Sequence, residues 1–237
     1  MRDVKILGIT SAINVVGAGI VSDGSLHAEC TVSSKIMRSE KLIILVDDIL
    51  ERTKLKIKDI DAVAVTIGPG SYSGLRGGLA TAKGLVEALD IPLISVSTLH
   101  AIAFNFIDLE GTVAVAVNAC KDDYNFSLWG SSRGGLKRLT NDITVKMDRI
   151  LEVLSSVKGP ITLAADGALS ARGGSAFGGK KYIRNDNILI AEDKNTVPWA
   201  VNVARIGIEK LRKNEVEDHI KLAPSYSHKP NIREHGK

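Results

Sequence analysis

The stretch that decides the fold reads Ile67-Gly68-Pro69-Gly70-Ser71-Tyr72-Ser73-Gly74-Leu75-Arg76. A β-branched run at residues 62–67 leads into it, and an apolar pattern of helical spacing at residues 75–89 follows it. This order predicts a strand, a glycine-rich turn and a helix N-terminus. Free backbone N–H groups at such a turn can hold an anion, but the same geometry can serve only to pack a strand closely against a helix.

The loop between this strand and helix is the first candidate site. Its glycines can adopt positive φ, its proline stiffens the turn, and Ser73 is expected to cap the helix. The loop lacks the Gly-Lys-Ser/Thr of a Walker A motif, and Ser73 stands where dinucleotide-binding loops have their third glycine. These residues favour a structural role slightly over anion binding. The candidate loop residues are Gly68, Pro69, Gly70, Ser71, Ser73, Gly74 and Arg76.

The composition is that of an ordinary soluble globular protein with one large or two small domains, since 44% of its 237 residues are hydrophobic and 24% are charged. A net charge of +4 is too small to indicate nucleic-acid binding by itself. Cys30 and Cys120 are typical of small buried residues rather than of a disulfide or a zinc site. No apolar run has the length of a membrane span and the N-terminus lacks a signal-peptide segment, so we expect a cytoplasmic protein without membrane contact.

The same order of elements occurs twice along the chain. In each half, three strand-like runs precede a helix and a further strand, which predicts a duplicated α/β fold with a mixed sheet in each of two lobes. The expected strands cover residues 5–10, 14–22, 26–33, 62–67, 93–96, 113–118, 124–129, 136–140 and 161–165. The expected units are a lobe at 1–106 joined by a last helix at about 198–214, a smaller lobe at 107–197, and a tail at 215–237.

The helix after the loop is rich in small residues. Gly77, Gly78 and Gly84 each cost about 1 kcal/mol relative to alanine in a helix interior. A helix that carries this cost usually needs close backbone approach. We expect both its own sheet and another subunit to approach it closely.

The other motifs do not indicate a nucleotide-binding, metal or catalytic site. Residues 174–181 look like a Walker A loop until Lys181 replaces the Ser/Thr that would hold Mg²⁺. The five histidines have no metal-binding spacing, and neither HExxH nor G-x-S-x-G is present. Asp166 follows the strand at 161–165 and is either a carboxylate at a strand end or part of a turn. We therefore predict no metal site and no catalytic residue.

At the glycine loop the sequence resembles the TsaB (YeaZ) family. The resemblance is carried by Gly68 to Arg76, by Leu79-Ala80-Thr81-Ala82-Lys83-Gly84-Leu85 and by Ile91 to Leu99. Segments starting at Arg38 and Ala223 add to it. It spans most of the chain, closely at residues 36–104 and loosely between about 120 and 195. Members of this family are the non-catalytic partners of the TsaD enzyme in bacterial tRNA threonylcarbamoyladenosine formation.

The resemblance implies a duplicated actin-like, Hsp70-type (RNase H-like) fold and a scaffold subunit without an intrinsic cofactor, for which nucleotide binding is not expected. It implies a TsaD-like catalytic subunit and a TsaE-like ATPase as partners, tRNA as the substrate of the complex, and a homodimer when the chain is alone. It also implies that the first two helices form the partner interface. The candidate interface residues are Leu42, Leu45, Val46, Ile49, Leu75, Gly78, Leu79, Ala82, Leu85 and Val86.

Several residues of this chain differ from those of related proteins, and the differences bear on the competing functions. Ile9 stands at the end of the first strand, where ATP-using relatives carry an acidic residue that an isoleucine cannot replace at Mg²⁺. Arg38 stands where the family often has histidine, and Asn118 and Cys120 stand where Asp and Arg are common. These changes favour a scaffold over an independent ATPase or sugar-kinase-like enzyme of this fold, and over a metalloprotease.

Overall fold

The structure is a computed structural model that describes residues 3–13, 15–33, 40–120, 123–165 and 187–227. The first sheet contains β1 (Lys5–Thr10), β2 (Val15–Ser22), β3 (Ser25–Ser33), β4 (Ala62–Gly68) and β5 (Leu93–Ser97). The second contains β6 (Gly111–Cys120), β7 (Asp123–Ser132), β8 (Gly135–Arg138), β9 (Ile143–Lys146), β10 (Ile161–Ala165) and β11 (Ile188–Ile190). The described helices are α1 (Glu40–Thr53), α2 (Tyr72–Leu89), α3 (Thr98–Ala103), α4 (Met147–Ser156) and α5 (Ala200–Arg212).

The two sheets have the same topology. The first has the strand order β3-β2-β1-β4-β5 and the second β8-β7-β6-β10-β11, with β9 paired to β7 as an addition. In each sheet the first three strands are antiparallel and the remaining pairs are parallel. The duplicated two-lobe α/β architecture expected from the order of elements is therefore confirmed.

The first sheet is covered by helices on both faces. Leu7 and Ile9 of β1 belong to one buried cluster with α1 and α2, whereas Ile6 belongs to a second cluster with α3 and α5. The alternation follows from the two-residue period of a strand. On the α5 side, a Cβ at Gly8 would overlap the carbonyl oxygen of Ala200, so the glycine permits close packing of that helix.

The second sheet packs α4 on one face and turns its other face toward the first lobe. Phe126 and Leu128 join Ile150 and Leu154 of α4 in one buried cluster. On the opposite face, valines of β6 and Trp129 of β7 pack against α3. The short helix α3 thus lies between the sheets and provides apolar contact between the lobes.

All the strands expected from the sequence are present, with ends that differ by a few residues, whereas β9 and β11 were not expected. The last helix begins at Ala200 rather than at Pro198 and ends at Arg212. It packs on the first sheet through Val203 and Ile206. The boundaries given above for the lobes and the tail stay a prediction. None of the described helices is long and apolar enough to cross a bilayer.

Candidate functional site

The glycine–proline loop joins β4 to α2, and the rest of the chain approaches its backbone closely. Gly68 has φ +128°, and a Cβ there would overlap the carbonyl oxygen of Ser225. A Cβ at Gly70 would overlap the carbonyl oxygen of Ala12, which follows β1. Packing within the chain therefore explains why glycine stands at both positions, because side chains there would displace two neighbouring segments.

Several N–H groups that an anion would need are already hydrogen-bonded. The Ser71 amide donates to Ala12 O over 2.5 Å, and the Leu75 amide donates to Ser71 O over 2.9 Å. The Gly74 amide donates to Ser71 Oγ over 3.4 Å. The geometry of the loop is that of a joint between strand and helix.

The helix cap differs from the expected one. Ser71, not Ser73, is the N-cap: its backbone is non-helical and its hydroxyl accepts from the amide three residues later. The expectation of Ser73 was wrong because α2 begins at Tyr72, which places Ser73 inside the first turn.

Ser11 anchors α2 to the end of β1. Its hydroxyl donates to Gly74 O over 2.8 Å, and its amide donates to Thr66 Oγ1 over 3.4 Å. A Cβ at Gly78 would overlap Ser11 Oγ. Gly78, expected at a partner interface, is instead needed for packing inside this chain.

The residues predicted at a partner interface lie on the inward sides of α1 and α2 in this chain, and their contact with a partner stays a prediction. Leu45 and Leu85 are half-buried against the core of the first lobe. The physical reason is that an amphipathic helix turns its apolar stripe toward its own sheet. The buried members of the list are Leu42, Val46, Ile49, Leu75, Gly78, Leu79, Ala82 and Val86.

The outward sides of α1 and α2 are formed by other residues. Ile43 and Ile44 of α1 are 52% and 64% exposed. Ala80, Gly84 and Ala88 of α2 are exposed at helical spacing. A Cβ at Gly84 would meet no atom of the described residues within 4 Å. We call these five residues the partner face, after the role proposed for them below; the sequence prediction did not include them because it followed the apolar stripes of the two helices.

A polar cluster lies between the lobes. The Ser97 hydroxyl donates to Asp142 Oδ2 over 2.6 Å, and Arg138 Nη1 donates to Asp142 Oδ1 over 3.1 Å. The ring of His100 stacks on Trp129 at 4.4 Å between centroids. Burial, aided by the positive charge of Arg138, lowers the pKa of His100 to about 3.

This cluster contains the residue types of a serine hydrolase but not their arrangement. A general base must accept the serine proton, and its pKa should lie near the working pH. Ser97 donates to Asp142 instead, and a histidine with a pKa of about 3 is a poor base at neutral pH. The cluster is a contact between lobes rather than a hydrolytic site.

Three of the residues that depart from the pattern of related proteins lie in the described part of the chain. Ile9 is fully buried in the apolar core at the end of β1. Within the described ranges, no group of His, Cys, Asp and Glu could hold a metal ion. Asn118 and Cys120 are exposed at the end of β6. Arg38, Asp166 and the loop at 174–181 lie outside the described residues.

Comparison with known proteins relates this chain to a family. A family model described as "TsaD: tRNA N6-adenosine threonylcarbamoyltransferase" matches residues 35–182. A Bacillus subtilis protein named tRNA threonylcarbamoyladenosine biosynthesis protein TsaB is 28% identical over 156 residues, covering 66% of this chain and 68% of that protein. The Escherichia coli protein of the same name is 32% identical over 99 residues, covering 42% of each chain.

A tRNA N6-adenosine threonylcarbamoyltransferase from Clostridium kluyveri is 33% identical over 123 residues, 45% of this chain and 36% of the enzyme. The matched part thus spans less than half the length of the Escherichia coli and Clostridium proteins. Among solved structures, YeaZ from Pseudomonas aeruginosa superposes with a TM-score of 0.77 at 17% identity, covering 94% of this chain and 99% of that one. The structural likeness concerns the fold.

Proposed function

The chain belongs to the tRNA N6-adenosine threonylcarbamoyltransferase (TsaD) family and, within it, to the TsaB (YeaZ) proteins; from this premise we propose that it is a non-catalytic scaffold subunit in tRNA threonylcarbamoyladenosine biosynthesis. Its proposed partner is a TsaD-like catalytic subunit. A TsaE-like ATPase and tRNA as the substrate of the complex belong to the proposal as well, and they rest on the family alone.

The observation that carries the proposal is the partner face. Ile43 and Ile44 are exposed apolar side chains on one helix, and Gly84 lies on its neighbour with no packing reason among the described residues. Because α1 and α2 cover the same face of the first sheet, their outward sides lie side by side. A glycine in an exposed helix interior costs about 1 kcal/mol, and it permits the close approach of another helix.

The proposed absence of catalysis rests on the residues at the loop and between the lobes. Ile9 offers no carboxylate for a metal ion, and the loop amides of Ser71 and Leu75 bond within the chain. An independent ATPase or kinase would need both a carboxylate and free donors at these places.

A homodimer of the isolated chain is part of the same proposal. Without its partner, the chain would leave two exposed isoleucines and the small residues of α2 in water. Two copies can cover these faces in a symmetric contact. The homodimer and the complex with the catalytic subunit then compete for one surface.

The test is a titration of purified variants against the TsaD-like enzyme of the same organism. Gly84→Arg and Ile44→Asp should each weaken binding at least about tenfold, which corresponds to about 1.4 kcal/mol for loss of a central contact. Both variants should keep the circular dichroism spectrum of the wild type and should melt no earlier than about 2 °C below it, because both substitutions lie on exposed helix positions. Gly84→Arg should melt at or above the wild-type midpoint, since it replaces a glycine in a helix interior.

Leu189→Asp is a matched control for Ile44→Asp, since Leu189 is 65% exposed on β11 of the other lobe. Gly135→Arg on β8 plays the same role for Gly84→Arg. Both controls should bind like the wild type. Unchanged affinity of the two test variants, or no association of the wild-type chain with the enzyme, would contradict the proposal.

A further inference from the structure

The C-terminal segment at residues 217–227 leaves the first lobe, follows α2 and ends on the second lobe; we call it the strap. At its start, the Glu217 amide donates to Leu93 O over 2.9 Å. The carboxylate of Glu217 accepts from the hydroxyl of Ser95. These bonds attach the beginning of the strap to the edge strand β5.

The next part of the strap lies against the C-terminal half of α2. His219 Nε2 lies 2.6 Å from Glu87 Oε2, and Lys83 Nζ donates to Ile220 O over 3.2 Å. Leu222 packs against the apolar core beneath α1 and α2. The strap is therefore held by side chains of the helix and by one apolar anchor.

The last part of the strap sits on the glycine–proline loop. The Ser225 amide donates to Ile67 O over 2.7 Å, and the Ser225 carbonyl faces Gly68. Arg76 Nε donates to the Tyr226 hydroxyl over 3.0 Å. The centroid of the Tyr226 ring lies 4.9 Å from that of Tyr72. The strap thus engages the cation near the N-terminus of α2.

The strap ends on a buried amide of the second lobe. Ser227 Oγ donates to Asn125 Oδ1 over 2.5 Å. Asn125 is 2% exposed on β7, and the same oxygen accepts from Thr144 Oγ1 over 3.1 Å. Loss of a hydrogen bond to a buried acceptor destabilises the folded state. The end of the strap is therefore fixed at a defined position on the second lobe.

The strap and the partner face occupy different sides of α2. At about 100° per residue, the strap contacts Tyr72, Arg76, Lys83 and Glu87 fall within about 60° of the helix circumference. Ala80, Gly84 and Ala88 centre about 90° further round. The strap therefore leaves the partner face uncovered, and an inference from it does not depend on the proposed function.

We propose that the strap is a latch: it closes the crevice at the carboxyl end of β4 with the chain's own polypeptide and ties the glycine–proline loop to the second lobe. In open α/β sheets this crevice is where ligands bind. Here the Ser225 amide bonds to the Ile67 carbonyl at this end of β4, and the Tyr226 hydroxyl accepts from Arg76. The Ile67 carbonyl and the backbone of Gly68 become accessible to a solute only when the last residues of the strap, 225–227, move away.

The test is hydrogen exchange by mass spectrometry on the full-length chain. The double variant Tyr226→Ala, Ser227→Ala should raise exchange at least about tenfold in two separate places, the amides of residues 67–76 and those of residues 123–126. Ile220→Ala is the matched control, because this exposed strap residue bonds through its backbone carbonyl. It should exchange like the wild type in both places.

Faster exchange confined to residues 225–227, or unchanged exchange, would overturn the latch. If the double variant unfolds, Tyr226→Phe serves instead, since it removes only the hydroxyl bonded to Arg76. That variant should raise exchange in residues 67–76 about two- to fivefold and keep the wild-type melting curve; no change there would also overturn the proposal. Binding of the TsaD-like enzyme by the double variant is expected to be unchanged.

Discussion

On its inward side α2 packs Gly78 against Ser11, and on its outward side it presents Gly84 to open space. The two glycines lie six residues apart on one helix and carry the same intrinsic cost in helix stability. Contact with Ser11 explains why residue 78 is a glycine, whereas no contact among the described residues explains the glycine at position 84. A glycine-rich helix therefore has to be divided into an inward and an outward side before any of its residues is assigned to a partner.

The largest expected effect comes from a charge on the inward side. Leu79→Asp buries a carboxylate at a position that is 4% exposed, in contact with apolar residues of the first sheet. We expect a loss of about 4 kcal/mol or more in the free energy of unfolding, enough to unfold a marginally stable domain. Urea denaturation followed by circular dichroism measures it.

Ala80→Asp is the control for this substitution, because the neighbouring residue lies on the outward side. It should lower the free energy of unfolding by no more than about 1 kcal/mol, mostly through the poorer helix propensity of aspartate. Equal destabilisation by the two variants would show that the division of α2 into two sides is wrong.

Burial also sets how His100, the histidine between the lobes, contributes to stability at different pH values. Since burial lowers the pKa of His100 to about 3, the unfolded chain takes up a proton below about pH 6.5 that the folded chain does not. This contribution to stability is complete above pH 6.5 and is lost as the pH falls toward 3. The slope is at most about 1.4 kcal/mol per pH unit.

His100→Phe keeps an aromatic ring against Trp129 and removes the titrating group. Chemical denaturation of both proteins between pH 6.5 and 4.5 isolates the contribution of this residue, because the other titrating groups are shared. The wild type should lose more stability than the variant over this interval. Parallel curves would mean that His100 is protonated as easily in the folded chain as in the unfolded one.

A smaller effect is expected at the inward glycine. Gly78→Ala adds a methyl group that overlaps Ser11 Oγ, a hydroxyl already bonded to Gly74 O. Overpacking costs about 1–3 kcal/mol, and the gain in helix propensity offsets about 1 kcal/mol of it. The net loss in the free energy of unfolding should be up to about 2 kcal/mol. A stabilised variant would contradict close packing at this position.

The duplicated fold could be predicted because its signals are local. β-branched runs and polar turns mark the strands, and the same order in both halves indicates the repeated topology. The strands β9 and β11 are four and three residues long, too short for the alternation that identifies a strand, and the strap has no periodicity. The apolar stripes of α1 and α2 could not reveal the partner face, since a periodic pattern identifies the inward side and leaves the outward one undetermined.

A change to alanine is the smallest substitution that tests whether Gly84, unlike Gly78, lies in open space. Gly84→Ala adds a methyl group where no described atom lies within 4 Å, so it should raise the free energy of unfolding by about 1 kcal/mol through helix propensity and the entropy of the unfolded chain. If the glycine is kept for close approach of a partner helix, the same variant should bind the TsaD-like enzyme more weakly while it melts at a higher temperature. Thermal melting and a binding titration on one preparation test both signs. Higher stability with unchanged affinity would mean that no helix approaches α2 at this point, and the partner face would then be restricted to the isoleucines of α1.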